Sequence, residues 1–191
     1  MRLASSQVVM EWLNSGSKLS IKNFDPQMLQ HVTYYIRVAD RLDIFQRDGS
    51  WKSEVIDELK GYELSPNEYV RIWTLEEMSL SADVFVIFGP ISDLIEQGLE
   101  LIHSPFIDPL FRGRLRLGLR NVLPYPTLIR ASQPIGKVSF FDVSDSHVQK
   151  PAPGSIMNRK LTTFQRYVEL SDVSPFPPEG LDDEIVDDDR T

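Results

Sequence analysis

The stretch FIDPLFRGRLRLGLRN, residues 106–121, joins a proline turn to a run in which leucine and arginine alternate. One face of that run carries three leucines, Leu115, Leu117 and Leu119. A period of two is typical of a half-buried β-strand, so we predict a strand over residues 113–121. Gly118 interrupts the row of arginines, although glycine in a strand loses backbone entropy and packs nothing. A β-bulge or the close approach of another backbone would explain it.

Outward from this stretch, the neighbouring segments also predict short strands. EYVRIWTL (68–75) alternates, and VFVIF (84–88) is continuously apolar, as in a strand buried on both faces. IGKVSFFDV (135–143) follows, and Pro, Asn and Gly turns separate the segments. The pattern favours a mainly β protein, a barrel or sandwich.

Two short helices are predicted beside the strands. The first spans SSQVVMEWLNSG, with Ser5 or Ser6 as N-cap and Gly16 as stop. The second spans SEVIDELKG, capped by Ser53 and ended by Gly61. The side chains expected to face inward are Val9, Trp12 and Leu13 in the first helix and Val55, Ile56 and Leu59 in the second.

Composition restricts the classes of function. The 191 residues are 41% hydrophobic and 25% charged, with a net charge of -8, which argues against a general binder of nucleic acid or anionic membranes. The absence of cysteine excludes disulfides, thiol nucleophiles and the paired-cysteine zinc site of zinc deaminases. The three histidines, His31, His103 and His147, have no metal-ligand spacing. We therefore expect no metal and no cofactor.

The sequence predicts one folded domain followed by two further segments. Residues 1–145 form the β domain, residues 146–174 a C-terminal extension with a possible strand at LTTFQRYVEL, and residues 175–191 an acidic, disordered tail. No signal peptide is expected, because the apolar run VVM meets Glu11 at once. No run reaches membrane-spanning length, so we expect a cytoplasmic protein.

Read in order, four segments resemble the dCTP deaminase branch of the trimeric dUTPase superfamily. They are IKNFDPQMLQ, LSPNEYVRIWTLEEMSLSADVFVIFG, FIDPLFRGRLRLGLRN and LPYPTLIRASQPIGKVSFFDVSD, and together they cover about residues 1–145. The resemblance implies a distorted, dUTPase-like β-barrel with a few short helices. It also implies a homotrimer with active sites between subunits.

The same resemblance specifies the chemistry that would be needed. The deaminases of the superfamily hydrolyse the 4-amino group of dCTP without zinc, with a strand glutamate that activates water. A Gly-Arg-Ser-Ser loop holds the phosphates together with Mg²⁺, and the dUTPases use an aspartate on the first core strand.

Carried over by position, these catalytic groups are missing. Gly118 occupies the position of the deaminase glutamate, and Tyr35 that of the dUTPase aspartate. Pro90 and Ile91 replace the arginine and first serine of the phosphate loop. General-base assistance alone is worth about 10²- to 10⁴-fold in rate. The sequence therefore predicts a degenerate active site.

Other residues become candidates for a cleft or a subunit interface. Ser92 is interpreted as the N-cap of a short helix that ends at Gly98, and Asp93 and Glu96 would repel a triphosphate. His103 is interpreted as a packed or interface histidine, and Asp108 as a turn former. The remaining candidates are Ser104, Arg114, Arg116 and Arg120, and the arginines could pair with Asp93 and Glu96 across a subunit junction.

Three functions stay open at this point. The first is a catalytically degenerate homotrimer, a pseudoenzyme whose intersubunit cleft binds a nucleotide, another ligand or a protein partner. The second is an active pyrimidine deoxynucleotide enzyme that requires Mg²⁺ and uses relocated carboxylates. The third is a structural or interaction module that acts through its acidic tail. The carboxylates available to the second are Glu76, Glu77, Glu100 and Asp108.

Overall fold

The computed structural model describes residues 1–46, 48–57 and 59–145. Within these ranges short strands dominate, with two α-helices and a 3-10 turn at Pro26–Met28. The elements are β1 (Arg2–Leu3), α1 (Ser6–Ser15), β2 (Leu19–Lys22), β3 (Tyr34–Phe45), β4 (Trp51–Val55), β5 (Tyr62–Leu64), β6 (Tyr69–Thr74), β7 (Glu77–Leu80), β8 (Val84–Pro90), α2 (Ser92–Glu96), β9 (Leu99–Ile102), β10 (Phe106–Ile107), β11 (Arg112–Gly113), β12 (Arg116–Asn121), β13 (Thr127–Ile129) and β14 (Pro134–Asp142).

The main sheet is curled because one long strand serves two halves of it. Its order is β10-β8-β14-β3-β6-β12-β9, with β1 added beside β14 and β4 beside β3. The first part of β3 pairs with β14, and its last part pairs with both β6 and β4. The register shifts between Val38 and Leu42, where irregular pairing bends the strand. Two small sheets, β11-β7-β2 and β13-β5, complete a mainly β, distorted barrel with few helices, as predicted.

The core lies inside the curled sheet, where alternate residues of each strand point inward. Leu115, Leu117 and Leu119 are all buried, as the alternation predicted. The largest fully buried side chains on the other strands and on α2 include Tyr34, Phe88, Phe140, Ile36, Leu42, Ile72, Met78 and Leu94. Arg116 and Arg120, which alternate with these leucines, therefore lie on the outside of β12.

The first predicted helix is confirmed with its caps. The side chain of Ser5 accepts a hydrogen bond from the backbone N–H of Val8, and Gly16 ends the helix at φ +61°. Val9 and Trp12 are buried, so the apolar stripe anchors α1 to the barrel.

The second predicted helix, over residues 53–61, is wrong. Trp51–Val55 is strand β4, paired with β3 in register from Arg41 to Phe45. Ser53 caps nothing, since its hydroxyl donates to Asp43 at 2.5 Å. Val55 and Leu59 are 61% and 92% exposed, and only Ile56 of the expected stripe is buried. A nine-residue helix is marginal by itself, so pairing with a long neighbouring strand overrides the local pattern.

Smaller corrections concern boundaries. The strand predicted from residue 113 begins at Arg116, because Leu115 donates to the hydroxyl of Thr74 (2.9 Å) outside the ladder. The extension 146–174, its strand and the tail 175–191 lie outside the described residues. Neither helix in the described ranges combines the length and the apolar character needed to cross a bilayer.

Candidate functional site

Gly118 lies in the middle of β12, on the outer face of the main sheet. It pairs with Arg71 of β6 on one side and with Ile102 of β9 on the other. The β6 register runs without interruption from Arg116 to Arg120, so no bulge explains the glycine. The first of the two explanations drawn from the sequence is therefore wrong.

A tyrosine ring explains the glycine instead. A Cβ atom built on Gly118 would lie 2.6 Å from the hydroxyl oxygen and 2.7 Å from Cε2 of Tyr69. Tyr69 belongs to β6, opposite Arg120, and is thus the diagonal neighbour of Gly118. The close approach comes from a side chain rather than from a backbone, and the ring occupies the space that any longer residue at position 118 would need.

Around this ring the outer face carries a packed aromatic and ionic cluster. Tyr69 makes an edge contact with Trp51, with centroids 6.1 Å apart. The guanidinium of Arg71 lies 3.5 Å from the Trp51 ring centroid and donates to Asp43 at 3.1 Å. Asp43 also accepts from Ser53 and is buried. This cluster was not predicted from the sequence, although the alternation of Tyr69 and Arg71 with apolar residues on β6 indicates that both side chains share the outer face.

The three candidate arginines of residues 114–120 do not form one array. Arg116 is exposed on β12, and Arg120 donates to the side chain of Asn67 at 3.2 Å. Arg114 precedes the strand and lines a cleft of about 480 Å³. The other lining residues of that cleft are Asp40, Leu75, Ala131 and Ser132. Among the described residues of one chain, no ion pair joins Arg114 or Arg120 to Asp93 or Glu96, and the pairing across a subunit junction stays a prediction.

The segment expected to be a phosphate loop joins β8 to α2. Pro90 carries no N–H, and the N–H of Ile91 donates to the backbone oxygen of Ile135 at 3.4 Å. Ser92 is the first helical residue and not the N-cap, which is Ile91 without any side-chain hydrogen bond. The cap prediction for Ser92 is wrong because the chain turns one residue earlier. Asp93 is exposed in the first turn, and α2 ends at Glu96.

Tyr35 lies on the first half of β3 and is half-buried. Its register partner on β14 is Lys137, whose ammonium nitrogen lies 4.6 Å from the centre of the phenol ring. A cation over an aromatic face is attracted by the ring quadrupole. This position therefore presents a covered ring and not a free acid.

His103, Ser104 and Asp108 lie on the connections that flank β10. The ring of His103 packs edge-on against Phe88 with centroids 5.0 Å apart, and the ring is half-buried. The hydroxyl of Ser104 donates to the backbone oxygen of Phe106 at 3.3 Å. The backbone oxygen of Asp108 accepts from Phe111 at 3.2 Å, which closes a turn, while the exposed side chain faces solvent.

Glu76 is the most buried carboxylate among the four considered for relocated catalysis. It is 0% exposed and accepts from Arg37 twice, through Nε at 2.7 Å and through the backbone N–H at 2.9 Å. The phenol of Tyr34 lies 3.5 Å from the same carboxylate, and burial raises the pKa of Tyr34 to about 12. Glu76 thus fastens β3 to the β6–β7 connection, with both oxygens engaged.

The other three carboxylates lie apart from one another. Glu77 pairs with Lys22 at the surface, 2.9 Å apart. Glu100 is exposed on β9 opposite Arg120, and Asp108 is exposed in its turn. Across the residues that the structure describes, no three histidine or carboxylate side chains converge to hold a metal ion. We therefore derive no step through Mg²⁺.

Comparison with known proteins gives consistent matches. Residues 3–143 match the family model described as dCTP deaminase-like. A dUMP-forming dCTP deaminase of Tropheryma whipplei (strain Twist) is 33% identical over 140 residues, which cover 66% of this chain and 71% of that protein. The protein of that description from Clavibacter michiganensis subsp. michiganensis is 30% identical over 163 residues, covering 78% and 80%.

A solved structure supports the fold independently. The 2'-deoxycytidine 5'-triphosphate deaminase of Agrobacterium tumefaciens superposes with a TM-score of 0.61 at 14% identity. The match covers 73% of this chain, which spans about half (48%) of the length of that protein. At this identity the superposition establishes the fold and nothing more.

Proposed function

The chain belongs to the dCTP deaminase-like family. From that premise we propose that it is a non-catalytic member, a homotrimer whose cleft between subunits binds a ligand or a protein partner. The observation that carries the proposal is the ring of Tyr69 beside Gly118. The family resemblance puts the water-activating glutamate at position 118. There, even the first side-chain carbon would meet the phenol at 2.6 Å. A general base is absent from this position, and its space is filled.

The phosphate side supports the same function. A triphosphate needs N–H donors and cations. Pro90 has no N–H, that of Ile91 is already bonded to Ile135, and Asp93 adds negative charge beside them. Tyr35, at the position of the dUTPase aspartate, holds Lys137 over its ring and provides no carboxylate.

The rival function is a deoxynucleotide enzyme with relocated groups, and the names of the relatives favour it. Both bacterial relatives described above are called dUMP-forming dCTP deaminases. Against it stands the state of two of the four available acids, whereas Glu100 and Asp108 are exposed. Glu76 is buried and doubly bonded to Arg37, and Glu77 is paired with Lys22. An acid held in this way cannot reach a substrate water without breaking its own contacts.

A turnover assay tests the proposal. The purified full chain is mixed with dCTP and, separately, dUTP in the presence of Mg²⁺, and the products are separated by chromatography. The Tropheryma whipplei relative, run in parallel, is the positive control. We expect no turnover above background. Turnover near one per second, which is the low end of ordinary enzyme rates, would refute the proposal and favour relocated groups.

The homotrimer is supported by an apolar outer face on the β1–β14–β8–β10 side of the sheet. Phe85 lies between Phe106 and Phe141, with ring centroids 5.9 and 6.4 Å apart. Leu3 extends the same face from β1 and is 49% exposed. Contiguous exposed apolar surface of this kind is typical of protein interfaces. Light scattering at micromolar concentration should give the mass of a trimer, and a monomer would contradict this part of the proposal.

A further inference from the structure

We propose that a cleft between α2 and the 130–134 turn binds a small zwitterion, with its carboxylate at Arg130 and its ammonium group at Asp93. The cleft has a volume of about 350 Å³, within the size range of small-molecule sites. Asp93 of α2 and Gln97, which follows the helix, line one side, and Arg130, Ser132 and Gln133 line it from the turn. The assignment does not depend on whether the chain turns over dCTP.

The hydrogen bonds of the wall leave mainly donors free to face a ligand. The side-chain oxygen of Gln133 accepts from the backbone N–H of Arg130 at 3.1 Å. The side-chain amide of Gln133 donates to the side-chain oxygen of Gln97 at 2.9 Å, so both amide oxygens are engaged. The NH₂ group of Gln97 keeps both hydrogens and that of Gln133 keeps one. Together with the guanidinium of Arg130, these donors suit a carboxylate.

The charge of the cleft selects against other ligands. Among the described residues, Arg130 and Asp93 do not form an ion pair with each other or with a third residue, although both line this cleft. One cation and one anion at separate points disfavour a polyanion and a divalent metal ion alike. A molecule with one charge of each sign would compensate both.

The apolar part of the lining suits a methylene chain between the two charges. Ile91, Ala131 and Pro134 supply this surface, and Ile91 is buried. The turn itself is anchored, because Ser132 adopts φ +62° and donates its N–H to Val38 of β3 at 2.9 Å. Because this wall is ordered before binding, the entropic cost of binding is lower.

Isothermal titration of the full chain with linear ω-amino carboxylates, from glycine to 6-aminohexanoate, tests the proposal. Butyrate and butylamine serve as probes that carry only one of the two charges. At least one zwitterion should bind, and butyrate and butylamine should each bind about tenfold more weakly, because each charge-assisted hydrogen bond is lost with its group. Arg130→Gln and Asp93→Asn should each lower the affinity for the zwitterion by a similar factor.

Matched variants outside the cleft control for a change in overall charge. Arg112→Gln and Glu63→Gln alter exposed residues on β11 and β5, and they should leave the affinity unchanged. Binding of butyrate as tight as that of the zwitterion would overturn the proposal in favour of an anion site. Absence of binding across the series up to about 10 mM, which is weaker than a free energy of about −3 kcal/mol, would overturn it outright. The turnover assay with dCTP tests the proposed function independently of these binding measurements.

Discussion

Replacing Gly118 with alanine places a methyl group against the Tyr69 ring. The new carbon would lie 2.6 Å from the phenol oxygen, where ordinary contact begins at 3.4 Å, so the ring must move by about 0.8 Å. Overpacking of this kind costs about 1–3 kcal/mol. Alanine recovers about 0.5–1 kcal/mol of the backbone entropy that glycine loses in a strand. The net change should lie between about 0 and 2.5 kcal/mol of destabilisation.

A double-mutant cycle assigns that cost to the ring. Once Tyr69→Ala has removed the phenol, Gly118→Ala should be slightly stabilising, so the two changes should couple by the overpacking cost of about 1–3 kcal/mol. The free energy of unfolding is measured by urea denaturation with tryptophan fluorescence. All variants are compared at one protein concentration, because the stability of an oligomer depends on it.

Two other strand glycines provide matched controls. A Cβ on Gly89 would meet nothing within 4 Å, so Gly89→Ala should recover about 0.5–1 kcal/mol of backbone entropy without a clash. A Cβ on Gly136 would collide with the buried ring of Phe88 and lie 2.9 Å from the backbone oxygen of Gly89, so Gly136→Ala should be the most destabilising of the three. An equal cost for Gly118→Ala in both Tyr69 backgrounds would refute the reasoning. So would a stabilisation by Gly118→Ala alone.

Three further predictions use the same measurement. Glu76→Gln should lower the free energy of unfolding by about 3–5 kcal/mol, because it breaks the buried pair with Arg37. Glu77→Gln, which breaks the surface pair with Lys22, should cost only about 0–1 kcal/mol. Equal costs would contradict the burial argument. Burial raises the pKa of Tyr34 from its ordinary value of about 10 to about 12, so its contribution is complete below pH 10 and is lost as the pH rises to 12. Tyr34→Phe should therefore lose less stability over that interval than the wild type. Leu110 adopts φ +68°, a left-handed conformation that is costly for any residue other than glycine. Leu110→Gly should therefore raise the free energy of unfolding by about 1 kcal/mol, whereas Leu110→Ala should not.

The fold was largely predictable because its strands alternate clearly. VFVIF at 84–88 forms the first five residues of β8, although it is not buried on both faces as predicted, because Phe85 and Ile87 are only half-buried. The leucines of β12 are buried as expected. The capped helix α1 was predictable for the same local reason, since Ser5 and Gly16 act on their own neighbours. The segment 53–61 failed because its structure depends on a distant strand. The hydroxyl of Ser53 could cap a helix or donate to Asp43, and only the presence of β3 decides between them.

The candidate site could be described from the sequence only as a set of positions that depart from the family resemblance. The sequence identified Gly118, Pro90 and Tyr35 as departures from the family, and the structure describes what lies around each. The partner of Gly118 could not be inferred, because Tyr69 becomes its neighbour only through the register that sets Arg120 opposite Tyr69. Likewise, the link from Ile91 to Ile135 joins residues more than forty positions apart in the chain.

The contact of Gly118 with the Tyr69 ring also bears on the proposed loss of a catalytic glutamate. A glycine alone would leave a gap that a single substitution could refill. Here the ring of Tyr69 rests against the glycine backbone and makes an edge contact with Trp51, so its position depends on position 118 having no side chain. In Gly118→Glu the Tyr69 ring would thus have to move aside before the new carboxylate could act on a water. Because Pro90 and Ile91 offer no free N–H to phosphates, even removal of the ring would restore space without restoring a nucleotide site. The sequence differences therefore form a structurally coupled set, and we expect no single reversion to produce deaminase activity.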